Sequence, residues 1–400
     1  MAKCCHSYSL QQKYFMKGLK NMNDQKRFGV IFSGGTAAGM NATLEYLCRY
    51  ARKEGAKLIG FKYGWTGLIR NDTVEVTMKT TRGIAFEVGG TSLGSCSKVN
   101  VFNHDGNDYS EVCYQTYNSL RLDGIFVLGG DGTNRQANEL NEKYPDMKFY
   151  WISATLDRDV AGCDDTIGFH TAVENAAEVI ASMANDGKTM NRHVIIECMG
   201  RHTGLVTIHA TDLAIRKYGI GIDMVLVPEI PFDLPAICNR IANTPYPLTI
   251  VMSEGIEIPI PDDMASGKKT RNSKHPAIIG HHIDLANTCR KLIAVLQPHT
   301  SVPIKSAIVG YMQRTGHLSS ADTFLAEHCA QLAVREAMAQ SESKAIIFRN
   351  GAFTAVPMHE LAELNKNSGE LKRQAFMDDA ILSVIADQIS AASFQKCWRK

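Results

Sequence analysis

The sequence predicts an α/β protein built from βαβ units on mainly parallel sheets. Three observations point there: short apolar runs alternate with stretches of helical periodicity, the runs end in polar turns rich in glycine, and the unit returns several times along the chain. With 400 residues, 44% of them hydrophobic, the chain can bury a large core and divide into roughly two or three lobes.

The first 26 residues, rich in Lys, Gln, Asn and Met, are read as an N-terminal extension without assigned chemistry. Phe28–Ser33 is the first apolar strand, and it runs through Gly34-Gly35 into a helix over Met40–Glu54 with Leu44, Leu47, Tyr50 and Ala51 on one face. Gly124–Leu128 repeats the pattern, followed by Gly129–Thr133 and a polar helix from Asn134. Lys148–Ile152 leads through Ser153–Asp159 to a helix over Thr171–Ala184, and Val194–Cys198 leads through Met199-Gly200-Arg201 to a helix over Gly204–Ala214. Further strands are read at Met224–Val227, Leu248–Met252 and Ser306–Val309, with a polar surface insertion near 256–290 and a helical region over 341–400. Ligands of parallel sheets lie beyond the carboxyl ends of the strands, so the four motif loops should meet there.

The 43 basic and 41 acidic residues nearly cancel, which argues against nucleic acid or a membrane as partner and leaves anion binding to local features. Eleven cysteines, scattered apart from the adjacent Cys4 and Cys5, suit neither a disulfide framework nor a Cys-x-x-Cys metal site. No apolar leader and no run of about 20 apolar residues is present, so reduced thiols and a cytoplasmic location are expected.

The chemistry-bearing turns follow strands. Gly34-Gly35-Thr36-Ala37-Ala38-Gly39 opens a helix and would let backbone amides approach a phosphate; a plain tight turn is the alternative. Gly129-Gly130-Asp131-Gly132-Thr133 sets a carboxylate between glycines, suited to Mg²⁺ beside phosphate or to simple helix capping. Thr155-Leu-Asp157-Arg158-Asp159 puts two carboxylates on one side of an extended segment, one able to accept a hydroxyl proton. Met199-Gly200-Arg201 aims a guanidinium at the same edge, where it can face a transferring phosphoryl group.

In order and spacing, these turns together with Asp165-Thr-Ile-Gly-Phe169, Pro228-Glu229 and Gln313-Arg314-x-Gly316 resemble the phosphofructokinases, from about Phe28 to beyond Leu325. The resemblance implies two Rossmann-like βαβ lobes with the active site in the cleft between them: residues 27–160 plus part of the C-terminal region for the phosphoryl donor, and 161–340 for the sugar phosphate. It implies ATP-dependent 6-phosphofructokinase activity, with fructose 6-phosphate and ATP or pyrophosphate as substrates and Mg²⁺ as cofactor. Asp157 is the implied general base, supported by Thr155 and Asp159, with Arg201 catalytic and Asp131 on the metal. Gly35, Trp65, Ser97, Lys98, Gly130, Asp131, Gly132 and Thr133 fall at donor-binding positions. Thr155, Arg192, Met199, Gly200, Arg201, Glu229, Lys305, Tyr311 and Arg314 fall at sugar-phosphate positions. Arg192 and Lys305 match residues a neighbouring subunit contributes, which implies a homo-oligomer, dimer or tetramer, with shared sites.

The sequence departs from the family pattern inside the site. Arg158 replaces a neutral amide, Ser97 stands where an arginine meets the transferring phosphate, Tyr311 replaces a histidine, and Thr36 and Ala38 replace Asp and Pro. A lysine at 98 cannot reproduce a bidentate fork. Gly132 and Ala154 leave room for a nucleotide's inner phosphate and favour ATP, whereas Gln136 replaces a glycine and would crowd the nucleoside. Trp65 is read either as a base-stacking ring or as an interior tryptophan. Two competing readings stay open: a non-catalytic relative that keeps the sugar-phosphate pocket, and a lipid- or NAD-kinase-like enzyme sharing the Gly-Gly-Asp-Gly-Thr turn.

Overall fold

The computed structural model describes residues 25–81, 89–258 and 288–366. The extension up to residue 24, most of the expected insertion and the chain beyond 366 lie outside the described residues. Five parallel strands form the centre of the first sheet: β1 (Arg27–Phe32), β2 (Lys57–Phe61), β4 (Gly124–Gly129), β5 (Phe149–Ser153) and β10 (Lys344–Arg349). Antiparallel β3 (Thr73–Val76) and β11 (Ala352–Pro357) close its edges, giving the order β11-β10-β5-β4-β1-β2-β3. A second sheet is parallel throughout: β6 (His193–Cys198), β7 (Met224–Leu226), β8 (Thr249–Ser253) and β9 (Ile304–Ile308), in the order β7-β8-β6-β9.

Each central strand is apolar on both faces because helices cover both sides. Phe28, Val30 and Phe32 of β1 point to one face, where α1 (Met40–Lys53) and α9 (Ser320–Met338) pack. Ile31 and, on β4, Ile125 and Val127 point to the other face, where α2 (Trp65–Arg70), α3 (Ser110–Ser119) and α4 (Asp131–Lys143) contribute Trp65, Cys113 and Leu140. This is the period-two alternation of a strand read between two helical layers. The second sheet is built likewise: Val194 and Ile196 face α5 (Phe169–Thr189) and α6 (Leu205–Tyr218). Ile195 faces α7 (Leu234–Asn243) and α8 (Thr288–Leu296).

The helix expected from Asn134 starts at Asp131, because Gly130 is extended and acts as its cap, and an acidic residue in the first turn suits the helix dipole. The region 341–400, expected to be helical, instead opens with the β10–β11 hairpin before α10 (Met358–Lys366). Asn350 and Gly351, at φ 52° and 73°, make the two-residue turn that matches strand twist.

Asp322 ties the two halves together. It is fully buried in α9 and accepts hydrogen bonds from the Gly168 N–H (2.7 Å), the Thr171 N–H (2.7 Å), the Thr171 hydroxyl (2.6 Å) and the Ser319 hydroxyl (3.2 Å). It thus satisfies orphan donors at the start of α5, which belongs to the second sheet's core. Asp322→Ala strands all four donors and is expected to lower unfolding free energy by about 3–5 kcal/mol, against about 1–3 for Asp322→Asn. Urea titrations of the three proteins measure this; equal stability of Asp322→Ala and the parent would refute the assignment.

Candidate active site

The chain leaves β1 toward β2 on one side, yet β4 lies on the other side of β1, so the loops after β1 and β4 diverge and leave a crevice. A cavity of about 360 Å³ opens there. Gly34 and Gly39 take φ 87° and 94°, which L side chains rarely adopt. The segment carrying Cys96 and Ser97 is fastened to this turn: the Gly34 N–H donates to the Cys96 carbonyl (3.0 Å) and the Ser95 hydroxyl donates to the Gly34 carbonyl (2.8 Å).

The second glycine turn presents the N-terminus of α4 to the cavity, with Gly130, Asp131, Gly132 and Thr133 in its wall. Free backbone N–H groups at a helix start attract anions. Asp131 stands 3.9 Å from Arg135, one helical turn away. After β5, the Asp157 N–H donates to the Thr155 hydroxyl (3.3 Å) and the Thr166 hydroxyl donates to the Thr155 carbonyl (2.6 Å), which fixes the turn carrying Asp157. Thr155 and Asp157 line the same cavity, as do Gly35, Ser97 and Arg314. The fold therefore gathers both glycine turns, two of the predicted carboxylates (Asp131 and Asp157) and one guanidinium.

Other residues lie elsewhere. Lys98 is exposed and Asp159 is half-buried, and neither lines the cavity. Trp65 contributes to the wall but is only 1% exposed, packed edge-on to Phe149 at 6.3 Å, as an interior tryptophan is. Gln136 does not crowd the cavity as a free side chain. It is buried, and its amide, with oxygen and nitrogen exchanged, accepts from Trp65 Nε1 (2.6 Å) and donates to the Val99 carbonyl (3.2 Å). In the unexchanged orientation it accepts from the Val101 N–H (3.3 Å). The exchanged form pairs the indole N–H and the Val99 carbonyl in place of the Val101 N–H, two bonds for one.

Arg158 could lie beside Asp157, reach the transferring phosphate or point outward; it turns away from the cavity. Its backbone is left-handed at φ 52°, and its Nε donates to the Asp164 carbonyl (2.6 Å) while the guanidinium lies 4.9 Å over the Phe169 ring. Asp165, 3.9 Å from Arg158, is also bonded to His170 Nε2 (2.5 Å). Burial pulls the His170 pKa down, but the hydrogen bond and charge of Asp165 outweigh it and the net shift is upward. His209, across the Phe169 ring, is held down to about 4 by burial and by Arg158.

In the second half, Met199 and Gly200 follow β6, and the Met199 N–H donates to Gln313 Oε1 (2.7 Å). Arg201 is exposed, and Glu229 accepts from the Gly204 N–H (2.7 Å) at the start of α6. Arg192 precedes β6 and Lys305 lies opposite Val194 in β9, so both sit at the strands' amino ends. The six residues of β6 separate them from Met199 by roughly 20 Å, and Arg192 is engaged by Asp186. Within one chain these two cations do not join the cavity. The 3₁₀ turn Gly310–Arg314 exposes Tyr311 and buries Gln313, a residue the sequence reading left without a role.

No group of three or more His, Cys, Asp or Glu side chains able to hold a metal occurs among the described residues. A lone carboxylate nonetheless fits Mg²⁺, which keeps several waters and is usually bound through one or two carboxylates plus substrate phosphates. Asp131, in the cavity wall at a helix N-terminus, meets that requirement. Among the described residues no helix is long and apolar enough to cross a membrane.

Comparison with known proteins gives one family. A family model described as phosphofructokinase matches residues 27–337. An ATP-dependent 6-phosphofructokinase of Spirochaeta thermophila is 29% identical over 352 residues, 84% of this chain and 91% of the relative. A pyrophosphate–fructose 6-phosphate 1-phosphotransferase of Dictyoglomus thermophilum is 27% identical over 304 residues, 75% of this chain and 82% of the relative. Among solved structures, Pichia pastoris phosphofructokinase in the T-state superposes with a TM-score of 0.72 at 20% identity; the match covers 93% of this chain but 40% of that one, and at that identity it shows the fold.

Two outcomes follow from the Arg158 cluster. Arg158→Asn, which suits a left-handed backbone and faces away from the cavity, is expected to change kcat less than about twofold; a tenfold change in either direction would place the guanidinium in the chemistry. Because its folded pKa is raised, charged His170 contributes stability below the unfolded value near 6.5 that is lost as pH rises through the folded value. His170→Gln should therefore cost more stability at pH 5.5 than at pH 9, read by thermal melts; equal cost at both would count against the ion pair.

Proposed function

Because the chain belongs to the phosphofructokinase family, we propose that it transfers the terminal phosphoryl group of ATP to the 1-hydroxyl of fructose 6-phosphate, giving fructose 1,6-bisphosphate in glycolysis. The observation that carries this reading is one cavity lined by both glycine turns, Asp131 and Asp157. Asp157 accepts the sugar's hydroxyl proton, and Thr155 fixes the turn that presents it. Phosphoryl transfer asks mainly for positioning and charge neutralisation, and amides at the α4 N-terminus supply part of both. Enzymes of the family use Mg²⁺; here Asp131 would hold it, and when bound it neutralises phosphate charge.

The first half of the chain takes the donor and the second half the sugar phosphate, with Met199, Gly200, Arg201 and Glu229 around the sugar. Arg192 and Lys305, remote from the cavity of their own chain, serve the site of a neighbouring chain in a homo-oligomer, and the enzyme works in the cytoplasm. ATP is favoured as donor because a Cβ added at Gly132 would meet nothing nearer than Arg135 at 3.8 Å, so the space beside the turn is open for an inner phosphate. The Dictyoglomus thermophilum relative motivates pyrophosphate as the second reading.

Transfer to fructose 6-phosphate, assayed with ATP and with pyrophosphate side by side in Mg²⁺, decides the donor; turnover with neither would end the kinase reading in favour of a non-catalytic relative. Asp157→Asn is expected to lower kcat by roughly 10²–10⁴-fold while fructose 6-phosphate binding changes little. Retention of full kcat would remove Asp157 from the role of base.

A further inference from the structure

The loop that presents Asp157 is closed at its neck, and its far limb is held by a distant part of the chain. At the neck, Ala154 and Ile167 form a β-bridge, the Ile167 N–H donates to the Ser153 carbonyl (3.2 Å), and the Thr166 hydroxyl donates to the Thr155 carbonyl (2.6 Å). Beyond the neck, Leu156 is buried in the second sheet's core and Val160 in the first sheet's. Asp157, Arg158 and Asp159 therefore bridge from one core to the other. Where the Asp157 carboxylate stands depends on how firmly the chain is fixed on both sides of these three residues.

On the Val160 side the fixing comes from β10, β11 and α10. Asn365, in the last turn of α10 and buried, faces Ala161, 204 residues away in sequence: its Oδ1 accepts from the Ala161 N–H (3.0 Å) and its Nδ2 donates to the Ala161 carbonyl (3.3 Å). The side-chain amide thus pairs with a loop residue as a neighbouring strand would. The same Nδ2 donates to the Leu361 carbonyl (2.8 Å), one helical turn back, which sets the rotation of the amide. The hairpin adds two bonds further along: the Asp164 N–H donates to the Phe348 carbonyl (2.9 Å), and the Asp164 carboxylate accepts from the Asn350 N–H at the hairpin turn. A group that must both accept and donate within one buried pair is an amide. Leucine, of similar size, would strand both Ala161 groups, and aspartate would turn an anion toward the Ala161 carbonyl. None of residues 344–366 lines the cavity, so Asn365 reaches the chemistry only through the loop.

We propose that Asn365 is a positioning residue for the transfer: by holding Ala161 it fixes the far limb of the loop, and with it the place of the Asp157 carboxylate relative to the hydroxyl whose proton it accepts. In that step the sugar's 1-oxygen bonds to the terminal phosphorus, its proton passes to Asp157, and the bond from phosphorus to the bridging oxygen breaks, the leaving diphosphate keeping that oxygen. Asn365 touches no substrate and exchanges no proton. Displacing a reacting group by about 1 Å can slow a reaction by about 10²-fold, so a loosened loop acts on kcat before it acts on binding. The inference rests on the kinase reading above, and one arm of its test does not use turnover.

The experiment places Asn365→Leu and Asn365→Asp in the full chain, each alone and combined with Asp157→Asn, with melting curves to establish that every variant is folded. Hydrogen exchange read by mass spectrometry is expected to quicken about tenfold in peptides covering 155–165 of both single variants, while peptides of β4 keep the parent's rate. In Asn365→Leu, kcat should fall roughly 10–100-fold while calorimetric binding of fructose 6-phosphate and of an imido analogue of ATP shifts less than about threefold. In the Asp157→Asn background the same substitution should lower the residual kcat less than about threefold, because the carboxylate it positions is gone. Equal fold losses in the two backgrounds would overturn the proposal, since a residue that merely stabilises the fold does not depend on Asp157. Parent-like kcat in both single variants, or parent-like exchange over 155–165, would overturn it as well. Should the parent protein turn over with neither donor, the kinase reading fails; quickened exchange then upholds Asn365 as the residue that holds the loop, and unchanged exchange removes it.

Discussion

The geometry of the site depends on one buried carboxylate. Asp322 accepts from the first amides of α5 and from the Ser319 hydroxyl at the start of its own helix, so two helix N-termini from different sheets converge on it. The loop carrying Thr155 and Asp157 runs into α5, and the turn carrying Arg314 runs into α9. Both active loops therefore end at this one group. Burial pushes its pKa up, and the hydrogen bonds from Thr171 and Gly168 oppose that shift. An apolar pair would pack as well, but it would leave the helix ends uncapped and the angle between the sheets unspecified.

Glycine sets how closely the two catalytic turns approach each other and their ligand. A Cβ on Gly129 would fall 2.3 Å from the Ser33 carbonyl oxygen, so the chain leaving β1 can lie this close to the end of β4 only because that position is bare. At Gly35 the neighbour is instead the tip of the Arg314 side chain, with Nη1 3.1 Å from where a Cβ would stand. The crevice of a parallel sheet is a consequence of strand order; under the proposed function, its fitness for phosphate follows from which positions lack side chains.

Much of this was legible in the sequence because local rules governed it. Strands buried on two faces read as unbroken apolar runs, and Val30, Ile31, Val194 and Ile195 lie where those runs put them. Asp131, Thr155 and Asp157 were legible as loop residues at strand ends, and topology alone brings such ends together. The hairpin after β10 had a local signal too, Asn350-Gly351, that a helical reading of the C-terminal region passed over. What could not be read was side-chain direction. Arg158 follows Asp157 in sequence, but a left-handed backbone turns it toward Asp164 and Phe169, and that conformation is more usual for an Asn than for an Arg. Gln136 reads from the sequence as a group crowding a nucleoside and Trp65 as either a stacking ring or an interior one, whereas in the wall the Trp65 indole N–H donates to the Gln136 amide.

The balance of charge explains why a chain of nearly zero net charge can still handle two highly anionic substrates. Two carboxylates in one cavity repel phosphate unless cations accompany them, and among the described lining residues Arg314 alone is positive. Under the proposed function one of those carboxylates uses its charge to accept a proton and the other to hold Mg²⁺, so neither could be traded for a neutral group without losing a step. Under the proposed function, further positive charge would come with the donor, as Mg²⁺, or from a neighbouring chain. Arg192 and Lys305 fit the second source: they stand together at the amino ends of β6 and β9, far from the cavity of their own chain, and Lys305 is exposed. Under the proposed function, a site built this way is inactive in an isolated chain and gains its affinity for the sugar phosphate only on assembly, so that charge left out of the cavity makes catalysis depend on the oligomer.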